Sequence, residues 1–228
     1  MEIKDTLFII PARGGSKGIP RKNIKLLNGK PLIYYSIDVA RALTCDENIC
    51  ISTDDQEIIQ VVENYGLKVP FIRPSLLATD NATTSDVISH ALSYYEGINK
   101  QYNTIILLQP TSPLRKIYQI TEAMKLMTPE IDMVVSVKIS HASAVICHQN
   151  PKGFLELTFS KNGVQRQQIS NYYEYNGALY IINVNSFKKF ELIGLTKIIK
   201  YIMPDIDSVD IDTIIDWKLC ESIIRDIK

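Results

Sequence analysis

Between Thr6 and Asn23 the chain reads TLFIIPARGGSKGIPRKN, and over residues 205–213 it reads DIDSVDIDT. In the first stretch Gly14, Gly15 and Gly18 let the backbone bend tightly and turn its N–H groups toward a ligand. Arg13, Lys17, Arg21 and Lys22 add four cations with no carboxylate close by in sequence. Bare amides and unpaired cations directly after an apolar run suit a polyphosphate. The competing reading, a solvated basic turn, leaves the coincidence of strand, glycines and cations unexplained. In the second stretch Asp210 and Asp212 are two apart, so an extended backbone points both to one side and Ile211 to the other. Two carboxylates so placed can hold one hard divalent ion; Mg2+ normally binds through one or two carboxylates plus substrate phosphates. Asp212 could equally cap a helix starting near Thr213, but a cap does not account for Asp210. Asp207 reads as a surface acid.

The loop matches neither GxxxxGK[ST] nor GxGxxG, which argues against a P-loop NTPase and against a dinucleotide fold. Gln109-Pro-Thr-Ser-Pro-Leu-Arg115 has two readings. It is a rigid proline turn ending in a surface arginine, or a preformed polar rim in which Gln109, Thr111 and Ser112 meet sugar hydroxyls. Arg166 lies in a weakly patterned segment and gains meaning if the substrate carries a carboxylate, for which a guanidinium fork is the best partner. His90, His141 and His148 are isolated and support no hydrolytic triad or multi-histidine metal site.

Alternating strand and helix patterns position these residues. Strands are expected at Thr6–Ile10, Asn48–Ser52, Val69–Ile72, Asn103–Gln109 and Met133–Val137, with Asn103–Gln109 continuously apolar and therefore central. Helices are expected from Pro31 to about Thr44, from Asp55 to Gly66, over 85–96 and over 117–127. Such alternation means a three-layer α/β fold with a largely parallel sheet, formed by one domain over residues 1–228. Ala178–Val184, Lys197–Met203 and a last helix Ile214–Ile227 complete it, with Trp217 as a packing residue. The polar segment around 139–173 fits a hairpin-type insertion, through Ala144–Cys147 and Phe154–Phe159. Ligands of open α/β sheets bind beyond the carboxyl ends of strands, and every candidate segment falls at such an end.

With 46% hydrophobic and 22% charged residues in 228, the composition is ordinary for a globular domain. Net charge is zero, which excludes general attraction to nucleic acid or an anionic membrane. It is unevenly spread: residues 1–30 hold seven Lys/Arg against two acids (+5), and 203–228 hold seven acids against three bases (−4). Cys45, Cys50, Cys147 and Cys220 show no CxxC pair or zinc spacing, and residues 1–10 no signal-peptide core, so a cytoplasmic location is expected. No apolar run is long enough to span a bilayer.

The segments ARGGSKGIPRKN (12–23), ISTDD (51–55), RP..LATDNATT (73–84), LLQPTSPLR (107–115), RQQ (166–168), NGALYI (176–181) and DIDT (210–213) resemble, in order, those of the N-acylneuraminate cytidylyltransferases. The resemblance implies a Rossmann-like nucleotidyltransferase fold with a β-rich dimerisation insertion. It implies transfer of CMP from CTP to the anomeric 2-hydroxyl of a nine-carbon 2-keto sugar acid, with Mg2+ and release of pyrophosphate. Under it Arg13, Lys17 and Lys22 bind the triphosphate, supported by Gly14, Gly15 and Ser16, and Asn23 lies near the ribose or α-phosphate. Arg73 and Thr84 surround the cytidine; Gln109, Thr111, Ser112 and Tyr180 line the sugar site; Arg166 meets the sugar carboxylate. Asp210 and Asp212 ligate the metal, and Asp212 assists at the attacking oxygen. A homodimer is implied. Several relatives carry arginine and proline just before Asn-Gly-Ala where this chain has Glu174-Tyr175, which makes legionaminic acid an alternative to N-acetylneuraminate. A non-catalytic nucleotide-binding regulatory module is the alternative from another class.

Overall fold

The computed structural model describes residues 5–140, 147–149, 151, 153–157 and 172–226. Its sheet has six strands, β1 (Thr6–Pro11), β2 (Ile49–Ser52), β3 (Thr104–Leu107), β4 (Met133–Ile139), β5 (Tyr173–Asn183) and β6 (Ile198–Ile202). They lie in the order β6-β4-β5-β3-β1-β2. β1 pairs in parallel with β2 and β3, and β4 with β6, whereas β5 runs antiparallel between β3 and β4. Six helices accompany them: α1 (Leu32–Arg41), α2 (Gln56–Asn64), α3 (Thr84–Gly97), α4 (Ile117–Met124), α5 (Val184–Phe190) and α6 (Ile214–Asp226).

The period of two along each strand builds the layers. Phe8 and Ile10 of β1 join Ile106 and Leu108 on one face, where Ile33 and Ile37 of α1, Val62 of α2 and Ile120 of α4 cover them. Leu7, Ile9, Ile105 and Leu107 face the other way, against Ile88 and Leu92 of α3 and Phe187 of α5. Residues buried on both faces explain why β1 and β3 read as continuous apolar runs. A third, smaller cluster lies under the site: Ile19, Leu27, Leu32, Leu114 and Ile211 pack on Trp217 and Cys220 of α6. Trp217 is a packing residue, as the sequence implies.

Three expectations change. Val69–Ile72 is not a sheet strand; Ile72 makes a single parallel bridge to Thr53, because Pro70 and Pro74 lack the N–H a ladder needs. The strand after Asn103 is central, but one of its neighbours, β5, is antiparallel. Asp207 is buried, accepting from Gln119 Nε2 at 2.8 Å and pairing with Lys116 at 3.1 Å. Asp55 caps α2 as expected, accepting from the amides of Glu57 and Ile58. Of the hairpin-type insertion, Cys147–Gln149 pairs antiparallel with Leu155–Leu157. Among the described residues no helix is long and apolar enough to cross a membrane.

Candidate active site

The carboxyl end of β1 delivers the basic loop, and the third apolar cluster fixes it to the acidic run. Ile19, in the middle of the loop, and Ile211, between the two aspartates, are 3% and 0% exposed and share the cluster around Trp217. Burying one such side chain is worth about 1.5–3 kcal/mol, enough to fix both charged segments against each other. Lys22 Nζ completes the link by donating to the carbonyl of Ile211 at 2.6 Å and to Asp212 at 3.3 Å. The Ile211 amide donates to the carbonyl of Thr111 at 2.8 Å, which joins the proline turn to the same assembly. Asn23 is buried and holds the loop by donating from Nδ2 to the Arg13 carbonyl at 3.0 Å.

A cleft of about 420 Å³ opens above this assembly. Arg13, Ser16, Lys17, Lys22, Asn23, Arg73, Thr84, Gln109, Thr111 and Asp212 line it, ten of the residues picked from the sequence. Gly14, Gly15, Ser112, Tyr180 and Asp210 are not part of that lining, and Arg166 lies outside the described residues. Ser112 is 1% exposed, and among the described residues its hydroxyl has no hydrogen-bond partner. Tyr180 is partly buried on β5 with its ring edge toward Tyr175, and burial raises its hydroxyl pKa. His90 is packed, its ring edge-on to Phe71 with centroids 4.6 Å apart.

The loop cations are not unpaired, as their sequence surroundings suggest. Arg13 and Lys17 both pair with Asp80, at 3.0 and 2.5 Å, and Arg21 pairs with Asp55 at 2.9 Å and with Glu57. The Gly14 amide is also taken, donating to Asp54 at 3.1 Å. Each partner comes from a distant segment, so sequence proximity could not reveal it.

The acidic run answers the capping question. The carboxylate of Asp216 accepts from the Thr213 amide at 2.7 Å, and the Asp216 amide donates back to the Thr213 hydroxyl. The box at the start of α6 is therefore Thr213 and Asp216, and Asp212 caps nothing. Asp212 stands exposed at the cleft, whereas Asp210 is half-buried. Burial pushes the Asp210 carboxyl above the usual range, and the like charge of Asp212 adds to this against a hydrogen bond from Thr111. Among the described residues its buried Oδ1 has no hydrogen-bond partner, which suits a bound cation. Among the described residues no cluster of three or more His, Cys, Asp or Glu could hold a metal. Asp210 and Asp212 would offer two carboxylates, and Mg2+ normally binds through one or two carboxylates plus substrate phosphates.

Two arginines hold the scaffold. Arg73 is 4% exposed and donates to the Ser52 hydroxyl at 3.0 Å, to the Ser52 carbonyl and to the Leu77 carbonyl at 3.3 Å. Arg115, a surface arginine in one of the two readings of the proline turn, is also 4% exposed. It donates to the carbonyls of Gln109 (2.5 Å) and Ser112 (2.9 Å) and to the Ser36 hydroxyl (3.2 Å), which closes the proline turn on itself. Burial lowers its pKa to about 9, with the charge of Asp210 opposing. On the other side, Asn176 Nδ2 donates to the Ser208 hydroxyl at 2.9 Å and its Oδ1 accepts from Ser136 at 2.5 Å, tying the acidic run to the sheet. Sequence reasoning missed the pairing of Asp80 and Asp54 with the loop and the structural use of Arg115. A lone acid in LATDNATT was the one available signal for Asp80.

A family model described as Cytidylyltransferase matches residues 7–200. The CMP-N,N'-diacetyllegionaminic acid synthase of Legionella pneumophila is 34% identical over 96% of this chain and 96% of its own length. The N-acylneuraminate cytidylyltransferase of Escherichia coli O18:K1:H7 is 36% identical over 95% of this chain, which spans 51% of that longer protein. In structure, the chain superposes with a TM-score of 0.72 on a CMP:2-keto-3-deoxy-manno-octonic acid synthetase complexed with CTP, covering 98% of this chain and 99% of that one. At 15% identity that likeness speaks for the Rossmann-like nucleotidyltransferase fold alone. With a matching family model over most of its length and a relative 34% identical end to end, the chain belongs to the cytidylyltransferase family and is a nucleotidyltransferase.

Proposed function

We propose that this protein transfers CMP from CTP to the anomeric 2-hydroxyl of a nine-carbon 2-keto sugar acid, releasing pyrophosphate. The observation that carries the reading is the cleft itself, which four cationic side chains, Arg13, Lys17, Lys22 and Arg73, line together with the exposed carboxylate of Asp212 and the proline turn. Arg13 and Lys17 bind the β- and γ-phosphates and neutralise the charge that grows on the leaving pyrophosphate. Lys22, fixed by the Ile211 carbonyl, reaches the α-phosphate. Arg73 and Thr84 flank the cytidine, and Gln109 and Thr111 orient the sugar hydroxyls for in-line attack. Asp210 and Asp212 hold Mg2+, which when bound supplies charge neutralisation at the phosphates. Asp212, exposed and not used for capping, assists removal of the proton from the attacking oxygen. The Arg166 side chain meets the sugar carboxylate. The reading extends to a single domain over 1–228, a homodimer formed through the 139–173 insertion, and a cytoplasmic place in surface-glycan synthesis.

A second reading concerns the acid. Where several N-acetylneuraminate enzymes carry a cation, Glu174 here accepts from Ser140 at 2.5 Å and pairs with Lys138 at 3.2 Å. The loss of that cation makes a diacylated acid such as legionaminate the second candidate. The experiment is Mg2+-dependent pyrophosphate release from CTP with N-acetylneuraminate, legionaminate, pseudaminate and 3-deoxy-manno-octulosonate offered in parallel. Turnover with one acid, lost in Asp212→Ala, supports the reading; no turnover with any acid despite CTP binding favours a non-catalytic nucleotide-binding module.

A further inference from the structure

Asp80 lines the cleft, and the reaction outlined above gives it no part. Its carboxylate pairs with Arg13 at 3.0 Å and with Lys17 at 2.5 Å, and Arg13 also donates to the carbonyl of Thr79 at 3.2 Å. The segment that carries it is held at both ends and irregular between them. At one end buried Arg73 donates to the Leu77 carbonyl. At the other, Thr83 and Asp86 form the capping box of α3, with Thr83 N–H donating to Asp86 at 2.8 Å. Between the anchors Asp80 is half-exposed, and its neighbours Lys17 and Arg13 hold its carboxyl below the usual carboxylate range, so it is charged at neutral pH.

We propose that Asp80 is an internal anion that occupies the triphosphate cations until nucleotide displaces it, and that returns to them to help expel pyrophosphate. The inference rests on the phosphate-binding reading of the cleft. Two cations at salt-bridge distance from one carboxylate have the donor arrangement that a terminal phosphate needs, and both partners cannot be served at once. The contact keeps Arg13 and Lys17 near their working positions, which limits their mutual repulsion before substrate arrives. It also sets the affinity for the product. Pyrophosphate leaving the site is replaced by a tethered carboxylate, whose local concentration does not fall. Because both ion pairs are partly exposed, the competition is moderate, which suits a step that must run in both directions.

The test is calorimetric titration of the whole protein with inorganic pyrophosphate and, separately, with CTP and with UTP in Mg2+, comparing wild type with Asp80→Asn and Asp80→Ala. Both variants are expected to bind pyrophosphate about three- to tenfold more tightly, from the loss of two exposed ion pairs, with a slower dissociation rate. Product inhibition by pyrophosphate should strengthen by the same factor. Glu57→Gln serves as the control, since it removes an acid paired with Arg21, which does not line the cleft. Equal tightening in Glu57→Gln would reduce the effect to net charge and overturn the proposal. Unchanged or weaker binding in the Asp80 variants would overturn it too, showing a carboxylate that does not compete with phosphate. If wild type binds neither probe, the phosphate reading and the exchange fall together. If it binds pyrophosphate but does not prefer CTP over UTP, only the choice of nucleotide falls.

Discussion

Gly177→Ala separates backbone strain from damage to the site. Gly177 sits in β5 with φ of +71°, in the left-handed region that a Cβ disfavours. An added Cβ would stand 2.9 Å from Gln109 Oε1 and 3.3 Å from Asp210 Oδ2. The strain alone costs about 1–2 kcal/mol, or roughly 2–8 °C of Tm for a chain of this length. Relieving the shorter contact to an ordinary 3.4 Å moves the Gln109 amide by about 0.5 Å. Since a misplacement of about 1 Å can cost two orders of magnitude in rate, a loss of roughly tenfold in kcat/KM is expected. Gly29→Ala supplies the reference: its φ is +81°, and nothing lies within 4 Å of an added Cβ. It should lower Tm comparably and leave turnover intact. Differential scanning calorimetry and pyrophosphate-release kinetics on both variants make the comparison. Equal kcat/KM for the two variants would refute the claim that Gly177 is there to make room for Gln109 and Asp210.

Asp216→Ala removes the acceptor for the Asp212 and Thr213 amides, at 3.1 and 2.7 Å, and should cost about 0.5–2 kcal/mol of stability with activity largely kept. Asp212→Asn should do the reverse, leaving Tm in place and abolishing turnover, which a melting curve and a single-turnover assay resolve. Burial raises the Asp210 pKa, so the acid limb of the pH–rate profile should lie above the ordinary aspartate value, and added Mg2+ should move it to lower pH by favouring the ionised form. For stability the sign is opposite to that of a paired carboxylate. With the folded pKa above the unfolded one, falling pH through the folded value removes a destabilisation, and in Asp210→Asn that contribution disappears.

Much of the fold was legible because its signals are local. β1 and β3 announced themselves as continuous apolar runs, and Asp55 fell where a cap is needed. The failures arose where a distant partner decided the outcome. Val69–Ile72 has strand composition, yet its prolines leave one bridge to Thr53. β5 reads as an ordinary core strand, but its insertion between β3 and β4 with reversed direction depends on the path of the chain before it. Asp207 reads as surface because it is charged, as does Arg115 in one of the two readings of its turn; both are buried because Gln119, Lys116 and backbone carbonyls satisfy them.

The sequence by itself determined the chemistry available: a glycine-cation loop after an apolar strand, a carboxylate pair two residues apart, a polar proline turn, and seven ordered segments that mark the family. Residue types and short spacings are enough for that, because the φ/ψ freedom of glycine, the fixed ring of proline and the two-residue repeat of an extended chain act over a few residues. Only the tertiary structure decided which charges meet. It set Lys22 against Ile211 and Asp212 across 189 and 190 positions, freed Asp212 by giving the cap to Thr213 and Asp216, and placed Asp80 on Arg13 and Lys17. Coulomb energy depends on distance in space, and that distance is fixed by buried apolar contacts such as Ile19 and Ile211 on Trp217.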